Sequence, residues 1–194
     1  MPILDFWLIQ RLNSLPKRVI LLTGNPGIGK TTVLTKAVNI LKGSGVYVGG
    51  MISREVRENG VRVGFEISDL TSGRRGWLAH INQQGGPQVG KYRVNLSDLD
   101  SIGVAAIAEA AEKCDAVAID EIGPMELFSE KFKEAVQKVL EGQKPAVAII
   151  HWKANDKLIK AAKSREDAEI FTVAQENRDK LPEIIAQKIL DALK

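Results

Sequence analysis

The nine residues Gly24-Asn25-Pro26-Gly27-Ile28-Gly29-Lys30-Thr31-Thr32 carry the G-x-x-x-x-G-K-[ST] spacing of a loop that wraps phosphate. Glycine at those positions lets successive backbone N–H groups turn toward one anion, and a helix opening directly after them adds the positive end of its dipole. Lys30 then reaches the β- and γ-phosphates of a nucleoside triphosphate, and the Thr31 hydroxyl stands where a Mg²⁺ shell begins. The apolar run Val19 to Thr23 supplies the preceding strand, and Val33, Leu34, Ala37, Val38 and Leu41 mark one stripe of the following helix, Lys30 to Lys42. A glycine-rich turn that binds nothing is the alternative, and the Lys-Thr pair in this context speaks against it.

A second constellation ends the run Ala116-Val117-Ala118-Ile119 with adjacent carboxylates, Asp120 and Glu121. In an α/β sheet the carboxyl end of a strand is where ligands are met. Asp120 is expected to complete the Mg²⁺ coordination that Thr31 begins, through water. Alternation along the strand sends Glu121 to the opposite face, where it suits a base that orients or deprotonates a water attacking the γ-phosphorus. A solvated strand end is the bland account of such a pair, and its coupling to the phosphate loop favours the chemical one.

Other residues carry weaker signals. Arg178, after Asn177 at the expected start of the last helix, either contacts base or phosphate or is a surface arginine beside a capped turn. Arg54, Arg57, Arg62, Arg74 and Arg75 form a basic cluster that either supplies an arginine finger, in cis or to a neighbouring subunit, or decorates solvated strand faces. His151 ends a strand and either senses the γ-phosphate or is a satisfied polar strand end. Glu126 either supports Glu121 or forms a salt bridge, and Cys114 reads as a packed helix-end residue.

The elements that must position these groups follow an α/β alternation. Val19 to Thr23, Val46 to Gly50, Ala116 to Asp120, Ala146 to Ile150 and Glu169 to Val173 read as buried strands of a parallel sheet. Helices are expected over Ser97 to Cys114 and Ser129 to Glu141, each with serine at its N-cap, and over Pro182 to Leu193, with Ile185, Ile189 and Leu193 on one face. From about residue 52 to 94 the helical period disappears. Glu58-Asn59-Gly60 there marks a hairpin between Ser53 to Arg57 and Val61 to Asp69, so a small antiparallel β-insertion is expected beside the core. Residues 1–16 form an N-terminal extension, expected to be helical and to end before Pro16, and 17–194 one domain.

Composition narrows the class. Over 194 residues the chain is 44% hydrophobic and 26% charged, with a net charge of +3, a bias too weak to mark a nucleic-acid or membrane surface. One cysteine and two histidines make neither an intramolecular disulfide nor a zinc cage. No apolar run approaches the roughly 18 residues of a membrane span. Met1 to Gln10 lacks the basic start of a secretory signal and carries Asp5, so a cytoplasmic location is expected.

The loop Gly24 to Thr32, the string Asp120-Glu121-Ile122-Gly123-Pro124-Met125-Glu126-Leu127, the hairpin from Glu55-Val56-Arg57 to Gly64-Phe65 and the late Glu176-Asn177-Arg178-Asp179 together resemble the THEP1 family of P-loop nucleoside-triphosphatases. The similarity runs from about Val19 to Leu190. The phosphate loop is common to many ATPases and GTPases, whereas the Asp-Glu-Ile-Gly-Pro-Met-Glu-Leu string with that hairpin is distinctive. The resemblance implies a three-layer P-loop fold whose five-stranded, mainly parallel core sheet has the order 5-1-4-3-2, and slow Mg²⁺-dependent hydrolysis of several nucleoside triphosphates. Family members usually begin only a few residues before the first strand, so Met1 to Pro16 inherits no role from it.

A P-loop kinase is the rival enzyme class, with Lys163-Ser164-Arg165 as the remnant of a lid, and a nucleotide-dependent switch the non-enzymatic one. Expected partners are nucleoside triphosphates, with no membrane, nucleic acid disfavoured, and a monomer or weak homo-oligomer. The residues placed here contact phosphate or Mg²⁺, and the chain lacks the Asn-Lys-x-Asp string that selects guanine. Turnover is therefore expected to vary only several-fold with the base. Comparing kcat/KM for ATP, GTP, CTP and UTP checks this, and a preference of about a thousandfold would reveal a polar base pocket.

Overall fold

The computed structural model describes residues 17–194; the helix expected within 1–16 lies outside the described residues. The strands are β1 (Val19–Thr23), β2 (Val48–Glu58), β3 (Val61–Asp69), β4 (Arg75–His80), β5 (Gln88–Val89), β6 (Tyr92–Val94), β7 (Ala116–Ile122), β8 (Ala146–Ile150) and β9 (Ala168–Thr172). The helices are α1 (Lys30–Gly43), α2 (Ala105–Lys113), α3 (Glu130–Glu141), α4 (Lys157–Lys163) and α5 (Leu181–Ala192). A helical turn, Leu96–Asp98, and a π-helical stretch, Leu99–Val104, lead into α2.

The strands join into one mixed sheet of nine, ordered β5-β6-β4-β3-β2-β7-β8-β1-β9. Its five mutually parallel strands, β9-β1-β8-β7-β2, keep the expected core order 5-1-4-3-2, and the correction lies in the count: nine strands form one continuous sheet, not a five-stranded core with a separate insertion. Parallel pairing links β9 to β1, β1 to β8, β8 to β7 and β7 to β2. The antiparallel strands continue from β2 rather than standing beside the core. The cause is the length of β2. Its 11 residues pair with β7 through Val48 to Met51 and with β3 through Met51 to Glu58. The β2–β3 turn needs positive φ at both central residues to match strand twist, and Asn59 (48°) and Gly60 (78°) supply it.

Alternation along β1 divides the core. Val19 and Leu21 pack with Phe132, Val136 and Ile107 under α2 and α3, while Ile20 and Leu22 pack with Leu34, Val38 and Ile185 under α1 and α5. The stripe expected on the first helix, Val33, Leu34, Ala37, Val38 and Leu41, is buried. Ser129 caps α3, its Oγ accepting from the Phe132 N–H at 3.1 Å. Ahead of α2 the cap is Asn95, which accepts from the Asp98 N–H, and not Ser97. Asn95 starts the helical path earlier because its N–H is already anchored to the Leu78 carbonyl of β4.

Arg18 fastens the base of the sheet to the end of α3. It donates to the carbonyls of Val139, Leu140 and Lys144 and pairs with Asp167 at 2.9 Å, satisfying helix-end carbonyls with a cation. Among the described residues no helix is long and apolar enough to cross a membrane.

Gly50 of β2 stands opposite Ala118 of β7. Its φ is +119°, and a Cβ there would sit 2.0 Å from the Ala118 carbonyl oxygen. Gly50→Ala is therefore expected to cost about 3 kcal/mol or more, combining overpacking with backbone strain. Denaturant unfolding checks it, and an unchanged midpoint would mean that the two strands separate freely.

Candidate functional site

Three glycines shape the loop after β1. Gly24, Gly27 and Gly29 have φ of 142°, 75° and 105°, conformations that side chains resist. Gly24 is also pinned by space, since a Cβ would lie 2.7 Å from the Val173 carbonyl oxygen. Gly29 is the N-cap of α1 and brings no side-chain cap. The first N–H groups of the helix thus have no side chain of their own to bond and face outward, as anion binding requires. The Lys30 ammonium curls over the loop onto the carbonyls of Gly24 and Asn25, at 3.0 and 3.2 Å.

A cleft of about 510 Å³ opens over this loop. Its floor brings together Pro26, Gly27, Gly29, Lys30 and Thr31 with Asp120 and Glu121 from the end of β7. Its far wall is the β2–β3 hairpin, through Arg54, Glu55, Arg62 and Phe65, and its mouth carries His151 and Trp152 from the end of β8. Separate chain segments therefore meet at the carboxyl edge of the sheet, as open α/β sheets arrange their ligand sites.

Glu121 departs from the expectation that it faces away from Asp120: both line the same cleft. The register between β7 and β8 shifts between Ile119 and Ile122, and such a bulge re-aims a side chain that strict alternation would send to the other face. Asp120 is 2% exposed, and its Oδ2 is buried without a hydrogen-bond partner among the described residues. Burial, with a smaller push from Glu121, raises its carboxyl to about 7, while the Thr31 hydroxyl and Lys30 act in the opposite direction.

Glu126 forms no ion pair among the described residues. It is 3% exposed and lines the cleft, with burial first and then the charge of Glu121 raising its carboxyl to about 8. His151 Nδ1 accepts from the Lys153 N–H at 3.3 Å.

Gly24, Asn25, Ile28, Thr32 and Arg178 stand outside the lining of the cleft. Arg178 lies in a turn before α5, which begins at Leu181 and not at Asn177. Asn177 ties that turn off, accepting from the Ala174 N–H and donating to the Thr172 carbonyl. Cys114 is buried with its thiol pushed up by that burial, under Gly49, where a Cβ would come within 2.6 Å of its Sγ. Of the aromatic and apolar walls, Phe65, Leu78, Val89, Met125 and Trp152, sequence assigned none a place in the site, and Phe65 and Met125 stood only within the strings that carry the family resemblance. They come from segments far apart along the chain, which no local spacing joins.

A glycine-cradled helix start, a lysine over the loop and a carboxylate at the end of a central strand define the P-loop class of NTP-binding proteins. Comparison with known proteins narrows the class. A family model described as NTPase matches residues 19–186. The nucleoside-triphosphatase THEP1 of Thermofilum pendens is 47% identical over 170 residues, covering 87% of this chain and 93% of that protein. The crystal structure of THEP1 from the hyperthermophile Aquifex aeolicus superposes with a TM-score of 0.77 at 31% identity, covering 88% of this chain and 98% of that one. The solution structure of a human cancer-related nucleoside triphosphatase gives 0.73 at 36%, covering 88% and 96%. The chain belongs to the THEP1 family of nucleoside-triphosphatases.

The raised carboxyls of Asp120 and Glu126 couple stability to pH. Folded, each holds its proton to about 7 and about 8; unfolded, each releases it near its ordinary value of about 4. Between about pH 4 and 8 the folded state binds more protons, so these groups make stability fall as pH rises. Glu126→Gln keeps the shape without the charge. In metal chelator its thermal midpoint is expected to come closest to wild type near pH 4 and to exceed it increasingly up to pH 8.5; a lower midpoint at both would show that Glu126 is stabilised as an anion.

Proposed function

We propose that the chain hydrolyses nucleoside 5′-triphosphates to the diphosphate and phosphate with Mg²⁺, residues 17–194 acting as one P-loop unit. The observation that carries this is Asp120: a buried carboxylate with an unsatisfied oxygen, sharing one cleft with Lys30, Thr31 and Glu121. A hard divalent cation suits that donor set, because carboxylate and hydroxyl oxygens are what Mg²⁺ takes. Asp120 and Thr31 would hold it, and when bound it neutralises charge on the β- and γ-phosphate oxygens.

The remaining work falls to the chain's own groups. The N–H groups of the loop Gly24 to Thr32 hold the phosphates, and the Lys30 ammonium leaves its loop carbonyls to pair with the β- and γ-oxygens. Glu121 accepts a hydrogen bond from a water in the cleft and takes its proton as the oxygen–γ-phosphorus bond forms and the bond to the bridging oxygen of the diphosphate breaks. Arg178, in the turn before α5, is assigned to frame the base outside the cleft. We assign a cytoplasmic location and a monomer or weak homo-oligomer, with nucleic acid disfavoured as a partner. Hydrolysis is preferred to kinase chemistry because the residues considered as a lid remnant are committed elsewhere: Lys163 ends α4, and Arg165 is paired with Asp167 at 2.7 Å.

Three substitutions separate the roles. Lys30→Ala is expected to abolish turnover and weaken triphosphate binding, leaving phosphate charge unpaired at a cost of about 2–5 kcal/mol. Glu121→Gln still orients water but cannot take its proton, so binding survives while kcat falls about 10²-fold or more at any Mg²⁺ concentration. Asp120→Asn weakens the metal shell and recovers in part as Mg²⁺ is raised. Full turnover in Glu121→Gln, or its rescue by metal, would overturn the assignment.

A further inference from the structure

Only Arg54 and Arg62 of the basic cluster reach the cleft. Arg57 is committed to Glu55 and to the Gly60 carbonyl, Arg74 donates to the Ser101 carbonyl at 3.1 Å, and Arg75 approaches Glu66 at 3.8 Å. Arg54 is 58% exposed along its side chain, and its Nε is taken by Glu66 at 2.8 Å. Arg62 differs from all of these in how it is held. Its Nε donates to the Tyr92 hydroxyl at 2.8 Å and its Nη1 to Glu55 Oε2 at 2.7 Å. Its guanidinium carbon lies 5.2 Å from the centre of the Phe65 ring and 5.6 Å from that of Tyr92. Its Nη2 makes no hydrogen bond to a described residue.

We propose that Arg62 is a catalytic residue, a cis-acting arginine that neutralises charge developing on the γ-phosphoryl group, with Tyr92 as its positioning residue; this rests on the hydrolysis set out above. Lys30 and Thr31 handle the β- and γ-phosphates and the metal, and they open into the same cleft as Arg62, so the guanidinium shares the space assigned to the triphosphate. An arginine on a free loop must be ordered at each turnover, which erodes what it contributes. Here a planar guanidinium is fixed beforehand by two hydrogen bonds and two ring faces, and its free Nη2 is the donor left for a phosphoryl oxygen.

The brace also gives the antiparallel strands a task. Tyr92 is 5% exposed and comes from β6, 30 residues after Arg62, so β4 and β6 carry the hydroxyl back to β3. Its ring meets Phe65 edge-on at 5.2 Å, which keeps Arg62, Phe65 and Tyr92 in one packed group.

Steady-state hydrolysis of Mg·ATP by Arg62→Ala, Arg62→Lys and Tyr92→Phe, beside Arg74→Ala and Lys30→Ala, tests it, with thermal midpoints and the Kd of a non-hydrolysable triphosphate on each. Arg62→Ala is expected to lose about 10²-fold or more in kcat, with Kd within about threefold, and to regain part of its rate from free guanidinium ion. Arg62→Lys should recover no more than about a tenth of the wild-type rate, lacking the planar fork. Tyr92→Phe keeps the ring and should lose several-fold in kcat at unchanged Kd, while Arg74→Ala stays at wild type. If Arg62→Ala turns over within about threefold of wild type while Lys30→Ala is dead, Arg62 loses its role and the hydrolysis site stands. If Lys30→Ala is active, the site itself falls. Loss of kcat and binding together, without guanidinium rescue, makes Arg62 structural and overturns the proposal; should Arg62→Ala not fold, wild-type rates in Arg62→Lys and Tyr92→Phe do the same.

Discussion

Asp120 ends a strand of buried apolar residues with 2% of its surface in contact with solvent and one carboxylate oxygen unsatisfied. An ionised carboxylate in that position is unfavourable unless something compensates it, and here the carboxyl rises to about 7 instead. Glu126, buried beside the same cleft, rises to about 8. Two buried acids of this kind are a standing electrostatic cost to the folded state. Their cost makes sense for a site whose proposed ligand is a divalent cation carried on a triphosphate, because cation binding relieves the burial penalty that folding leaves in place.

The rest of the architecture serves to bring groups to that strand end. β1 delivers the phosphate loop on one side of β8, and β7 delivers Asp120 and Glu121 on the other. β2 is the link between halves: parallel to β7 at its start and antiparallel to β3 beyond Met51, it carries the sheet past the core and folds the hairpin up as the opposite wall. A nine-stranded sheet thus does what a five-stranded core with a separate insertion would not, since wall and floor of the cleft belong to one continuous hydrogen-bonded surface.

Local chemistry made much of this legible in sequence. The glycine pattern with Lys30 and Thr31 depends on neighbouring residues alone, and so does the apolar run that ends in Asp120; both are where they were expected. The stripe on α1 and the serine cap of α3 are likewise local. What failed depends on partners distant in the chain. The bulge opposite β8 turns Glu121 into the cleft, the anchoring of Asn95 to Leu78 moves a helix start, and Asn177 closes a turn that leaves Arg178 ahead of α5 and not in its first turn. The brace between Arg62 and Tyr92 was invisible for the same reason, because no spacing rule joins residues of β3 and β6 across an intervening strand.

Membership of the THEP1 family places the chain among nucleoside-triphosphatases, and the buried acids state what is physically distinctive about the site: burial raises both carboxyls, so a cation that binds Asp120 must displace a proton. Proton release on binding tests that directly. Calorimetric titration of a Mg·non-hydrolysable triphosphate into the protein at pH 7, in buffers of different ionisation enthalpy, counts the protons expelled. Release of a substantial fraction of a proton in wild type, greatly diminished in Asp120→Asn, is the result predicted by a carboxyl near 7 that must ionise to meet the metal. Binding with no net proton release, or with equal release from wild type and Asp120→Asn, would contradict it.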